Sequence, residues 1–318
     1  MVVFIVAIVL VWMNRQLIWD YAAASQYSPS NEVAALVTDT GMTSRGELYF
    51  YATHPVLSNT SEVSDACDSQ DTDDLTLGCY VNNKIYVFNA KNSQIPEVEE
   101  VTAAHEMLHA AYARLSSSDK QHVNALLKTE AEKLQNDTAF ADRMKPYADL
   151  DQQAYYDELH SVIGTEIADV PDQLEKHYET YFKDRQKVVK MYASYEAVFM
   201  QLKAKADALV AEIDALATSI NNRAAAYKTA AASLTEEINA FNARANTQGA
   251  FSSVAEFTNA RAALIAKSNS LDSERTSINN AISEYEQKRQ EYEAAWGEFA
   301  ALRNSIDSSL APAPAVSE

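Results

Sequence analysis

Proline is absent between Pro171 and Pro312, and within that stretch glycine occurs only at positions 249 and 297. Almost nothing there breaks a helix. Cysteine is nearly absent as well: Cys67 and Cys79 are the only two. A cysteine-based zinc cluster is therefore excluded, since it needs further Cys or His at matching spacing. Basic residues are scarce, 26 Lys and Arg against 45 Asp and Glu, giving a net charge of −19. The acidic excess is concentrated in residues 16–170 and argues against nucleic acid and against an anionic membrane surface as partners. Long apolar runs are missing except for residues 1–13, which are short of the ~20 that cross a bilayer.

One short run carries a chemistry. Residues 105–109 read His-Glu-Met-Leu-His. In a helix, positions i and i+4 share a face, so His105 and His109 can present two imidazole nitrogens to one metal ion. Glu106 sits beside the open coordination position, where it can take a proton from water. A helix is expected here: Pro96 suits a first turn, and Glu97, Glu99 and Glu100 put negative charge at the positive end of the dipole. Val101, His105, Leu108, His109 and Tyr112 then form an inward stripe. Upstream, Leu75–Tyr80 and Lys84–Phe88 read as two strands joined near Asn82-Asn83.

A strand pair followed by an H-E-x-x-H helix resembles the zincin metallopeptidases over roughly residues 30–170. The resemblance implies zinc, bound by His105 and His109, with Glu106 as general base and an edge strand that binds the substrate backbone. A metzincin would carry Gly at 112 and His at 115, but this chain has Tyr112 and Leu115. The gluzincin solution, a glutamate on a later helix, points to Asp149–Gly164. Glu158 lies in line with Ala154, Tyr155 and Val162 on that segment's apolar stripe, and is the expected third ligand. Glu166 and His160 are its rivals. Val162 stands where a thermolysin-like Asp would be. Tyr155, Tyr156 and His160 are candidates for holding the oxyanion.

The apolar segment Met1–Met13, extended through Leu17, Ile18 and Trp19, is expected to anchor the chain in a membrane. The catalytic region would then be extracytoplasmic. A cleaved signal with Ala22-Ala23-Ala24 as its site is the alternative, giving a secreted protein. After an export segment, Cys67 and Cys79 are expected to form a local disulfide. Asp68, Asp71, Asp73 and Asp74 between them read as a solvated loop, because an EF-hand needs a glycine at the turn.

Before the motif, Ser30 caps a helix to about Thr38, and Glu47–Thr53 alternates like a strand. After it, helices are expected from Ser118 to Leu134 and from Asp137 to Lys145. Ala206, Ile213, Ile220, Tyr227, Leu234 and Phe241 recur every seven residues, as do Phe257, Leu264, Leu271, Ile278, Tyr285, Tyr292, Phe299 and Ile306. Asn246-Thr247-Gln248-Gly249 marks a turn between the series, and Ser253 with Glu256 has capping-box spacing. Arg223 and Glu237 interrupt the seam.

The expected fold is α+β: a zincin-like metallopeptidase domain with a small sheet, followed by a long antiparallel coiled-coil hairpin. Its parts are an N-terminal segment 1–19, a catalytic domain 25–171, a hairpin 172–310 and a disordered tail 311–318. The expected function is a membrane-tethered zinc metallopeptidase acting on a peptide or protein substrate, with no nucleic-acid partner. A protein partner is expected for the coiled-coil arm. The second reading is a structural or adhesive surface protein whose metal site is structural or silent.

Overall fold

The structure is a computed structural model that describes residues 14–67, 77–90, 95, 97–148 and 150–306. The apolar run 1–13, the acidic loop from Asp68, Pro96 and the tail 311–318 lie outside the described residues. The chain divides into two compact units, residues 1–199 with 300–318, and residues 200–299.

The first unit is α+β. Its described elements begin with α1 (Arg15–Gln26), α2 (Asn31–Asp39), α3 (Ser44–Ala52), β1 (Val56–Ser58), α4 (Thr60–Cys67), β2 (Gly78–Val81) and β3 (Lys84–Phe88). They continue with α5 (Val98–Ala113), α6 (Ser117–Leu134), α7 (Thr138–Met144), α8 (Gln152–Glu166) and α9 (Asp172–Tyr178). Helix α10 (Arg185–Ala245) carries the chain into the second unit, and α11 (Val254–Ile306) completes it.

The three strands form one sheet in the order β1-β3-β2, with β1 parallel and β2 antiparallel to β3. Asn82 and Asn83 both have positive φ, 50° and 60°. Two left-handed residues in a two-residue loop match the right-handed twist of a hairpin, and asparagine tolerates that conformation. Helix α5 runs through the middle of the unit. Ala103, Ala104, Met107, Leu108, Ala110 and Ala111 on it are all fully buried. Its alanines let α8 and the sheet pack closely on either side.

Side-chain caps set most helix starts. Ser30, Thr43, Ser116, Asp137 and Asp151 each accept a backbone N–H of the helix that follows. Thr43 explains one departure from expectation. The sequence predicts a strand over 47–53, but residues 47–52 belong to α3 and Thr53 is its C-cap. Leu48, Phe50 and Ala52 are buried in alternation with half-buried Tyr49 and Tyr51. Burial in this helix thus follows the same alternation that reads as a strand in the sequence, and the Thr43 cap marks the helix start. Strand β1 and helix α4 were not expected at all.

The end of α8 is held from inside. Arg185 is fully buried; it donates to the carbonyls of Ile163, Gly164, Ile167 and Ala168 and pairs with Glu175. Ile163 and Gly164 are among the last carbonyls of α8, which a helix end leaves without partners, and Ile167 and Ala168 follow directly, so a buried cation is well placed there.

The membrane expectation is corrected. Among the described residues no helix is long and apolar enough to cross a membrane. The extension beyond residue 13 belongs to α1, which carries Arg15 and a buried Asp20. Arg114 donates to Asp20 through Nε at 3.0 Å and Nη2 at 2.9 Å. This pair ties α1 to the end of α5, and Ala22-Ala23-Ala24 lies within α1.

In the second unit α10 and α11 run antiparallel. Lys288 pairs with Glu212, Arg223 with Glu274, and Lys267 with Glu237. Arg223 and Glu237, the two residues that interrupt the heptads, are thus matched across the seam. Phe241, Phe251 and Phe257 close the tip, with ring centroids 5.2–5.6 Å apart. Ser253 accepts from the Glu256 N–H, while the Glu256 carboxylate accepts from the Ser252 N–H.

Candidate metal centre

Two glycines bring the site's elements together. A Cβ on Gly164 would lie 2.4 Å from Leu108 Cδ1 and 2.8 Å from Tyr178 Cε1, so only glycine lets α8 approach α5 this closely. A Cβ on Gly78 would lie 2.6 Å from the Tyr86 carbonyl and 2.7 Å from Thr102 Cγ2. It therefore sets β2 against α5 beside Glu106.

Helix α5 then presents His105 and His109 toward α8, which presents Glu158. The two histidine Nε2 atoms are 3.2 Å apart. Glu158 straddles them, with Oε1 3.5 Å from His105 Nε2 and Oε2 3.4 Å from His109 Nε2. The three residues form a group that can hold a metal ion. A tetrahedral ion with bonds of ~2.0–2.1 Å separates its ligand atoms by ~3.3–3.4 Å. The observed separations match that edge length, and the donor set of two imidazoles and a carboxylate suits such an ion.

The electrostatics favour a cation at the same point. Burial would push the Glu158 carboxyl up, yet the two imidazoles, His105 foremost, hold it well below the usual carboxylate range. Burial would push His109 down, but Asp157 and then Glu158 hold it well above the ordinary imidazole value. Carboxylates that favour a proton on His109 favour a metal ion in its place. Asp157 Oδ1 lies 2.8 Å from His109 Nδ1. That contact keeps the proton on Nδ1 and leaves Nε2 free to ligate.

Glu106 is buried, 6% exposed, and desolvation raises its pKa against the opposing pull of His109 and His105. A carboxylate with a raised pKa is a better proton acceptor at neutral pH than a solvated one. His105, Glu106, His109 and Glu158 all line an open cleft whose walls include β2 and the side chains of Tyr147, Arg143 and Tyr195.

Of the rival ligands, Glu166 lines the same cleft but is engaged by Arg143, and His160 lies outside it. Glu166 accepts from Arg143 Nε at 3.2 Å. His160 faces away from the cleft; its Nε2 lies 2.9 Å from His177 Nε2, and its ring packs on Tyr112 and Tyr178. Burial, with His177 beside it, pushes His160 well down. Tyr80, Tyr147 and Tyr195 reach the cleft, whereas Tyr155 and Tyr156 pack against the core. Sequence reading missed Asp157 and Arg143. Asp157 carried a signal, being the neighbour of Glu158 on a helix that faces histidines; Arg143 carried only its charge in an acid-rich region.

Comparison with family models, with curated proteins and with solved structures finds no match for this chain.

Proposed function

We propose that this chain is a zinc-dependent metallopeptidase with a zincin-like catalytic unit. The observation that carries this reading is the 3.2 Å separation of the two Nε2 atoms, with Glu158 at 3.4–3.5 Å from both and the buried Glu106 carboxylate one residue from His105. A zinc ion held by His105, His109 and Glu158 supplies Lewis acidity toward a scissile carbonyl and toward water.

The chain's own residues do the rest. Glu106 accepts the proton of the attacking water and delivers it to the leaving amine. Asp157 fixes the tautomer and orientation of His109. Strand β2 is an edge of its sheet and lines the cleft, so its open main-chain groups can pair with an extended peptide. A structural or adhesive protein with a silent metal site would have no use for Glu106, a carboxylate kept out of water beside the metal ligands.

The test is zinc analysis of the purified chain together with hydrolysis of a peptide library. One zinc per chain and cleavage that Glu106→Gln abolishes, with zinc retained, are expected. Cleavage at the wild-type rate by that variant, or no zinc in the wild type, would overturn the reading.

A further inference from the structure

Arg143 lies in the cleft wall and has no part in the proton transfer described above. It comes from α7, a short helix whose start is set by the Asp137 cap. Its guanidinium donates from Nε to Glu166 Oε1 at 3.2 Å, from Nη1 to the Tyr147 hydroxyl at 3.3 Å, and from Nη2 to Glu158 Oε1 at 3.4 Å. Glu158 Oε1 is the same oxygen that faces His105. Both acids are nearly buried, with side chains 9% and 8% exposed.

A carboxylate flanked by two imidazoles can rotate about its last torsion, since such torsions are broad and only two-fold. Rotation would turn its oxygens off the line between His105 and His109. A planar, permanently charged fork limits that rotation, and a fork tied down at its other two nitrogens limits it further. Glu166 supplies the tie. It is the last residue of α8, where the helix dipole disfavours an anion, and its ion pair with Arg143 offsets that cost.

We propose that Arg143, anchored on Glu166 and Tyr147, positions the third metal ligand by holding the Glu158 carboxylate toward both histidines. This rests on the zinc reading above. Arg143 is a positioning residue: it touches the ligand and not the metal.

The charge must be controlled in the test, because removing a cation near a metal site strengthens metal binding while removing a grip weakens it. The double variant Arg143→Met/Glu166→Gln removes one charge of each sign, 3.2 Å apart, and so leaves the net field almost unchanged. Zinc affinity of the full chain is measured by competition with a chromophoric chelator. The double variant should bind zinc about 10–100-fold more weakly, the usual effect of losing a partner that orients a ligand. In a Glu158→Ala background the same pair of changes should cost nothing further, since there is no carboxylate left to hold.

Arg143→Lys keeps the charge and loses the fork; it should be weaker by several-fold, and serves where the double variant does not fold. Unchanged affinity in the double variant overturns the proposal, and so does an equal loss in the Glu158→Ala background. If the double variant unfolds, unchanged affinity in Arg143→Lys overturns it. A wild type that binds no zinc overturns the metallopeptidase reading itself, whereas a wild type that binds zinc and variants that match it overturn the role of Arg143 alone.

Discussion

His109 Nδ1 and Asp157 Oδ1 lie 2.8 Å apart, joining the helix of His105 and His109 to the helix that carries Glu158. One hydrogen bond therefore couples the two halves of the candidate centre, and it sets which imidazole nitrogen is free. Asp157→Asn should weaken zinc binding about 10–100-fold while the apo chain keeps its fold. Chelator competition gives the first quantity and far-ultraviolet circular dichroism the second; unchanged zinc affinity would remove Asp157 from the site.

Glu158, not its rivals, should hold the metal. Glu158→Ala should leave the chain largely zinc-free after dialysis against a weak chelator. His160→Ala should retain the metal, because that ring points away from the cleft toward His177. Glu166→Ala should retain most of it, since Glu166 reaches the centre only through Arg143. Full zinc in Glu158→Ala would reassign the third ligand.

Cys67 and Cys79 are joined by a disulfide across a sequence separation of 12, tying α4 to the cleft strand β2. Replacing both with serine should lower stability by about 3 kcal/mol in the loop-entropy model. Denaturant unfolding of oxidised wild type and variant measures the difference.

Acid should destabilise the metal-free chain through His177. Burial holds its pKa down at about 4, against the opposing pull of Asp119. The unfolded chain takes up that proton near pH 6.5 and the folded chain does not until about pH 4. Stability is thus fully present above pH 6.5, falls as the pH drops toward 4, and then levels off. The drop is about 3 kcal/mol at most. His177→Gln should flatten this part of the stability profile, and a profile identical to the wild type would show that His177 contributes nothing to it.

Local and periodic features of this protein were legible in its sequence. The spacing of His105, Glu106 and His109 is a property of one helix turn, and any helix there puts the two imidazoles on one face. The Asn82-Asn83 turn, the caps at Ser30 and Asp137, and the heptads on both sides of Gly249 are likewise written within a few residues of where they act. Glu158 was a weighted choice among three side chains.

Tertiary structure decided what depends on residues far apart in the chain. Helix α3 reads as a strand because Leu48, Phe50 and Ala52 alternate with Tyr49 and Tyr51, and packing on this short helix buries them in that same alternation. Asp20 is matched to Arg114, 94 residues away, so α1 joins the folded unit where an apolar extension toward a membrane had been expected. The placing of Asp157 and Arg143 depends on how closely α8 meets α5, which Gly164 and the packing around Leu108 determine. Spacing along a chain specifies which atoms a helix can present together; only the packing of two helices specifies what they are presented to.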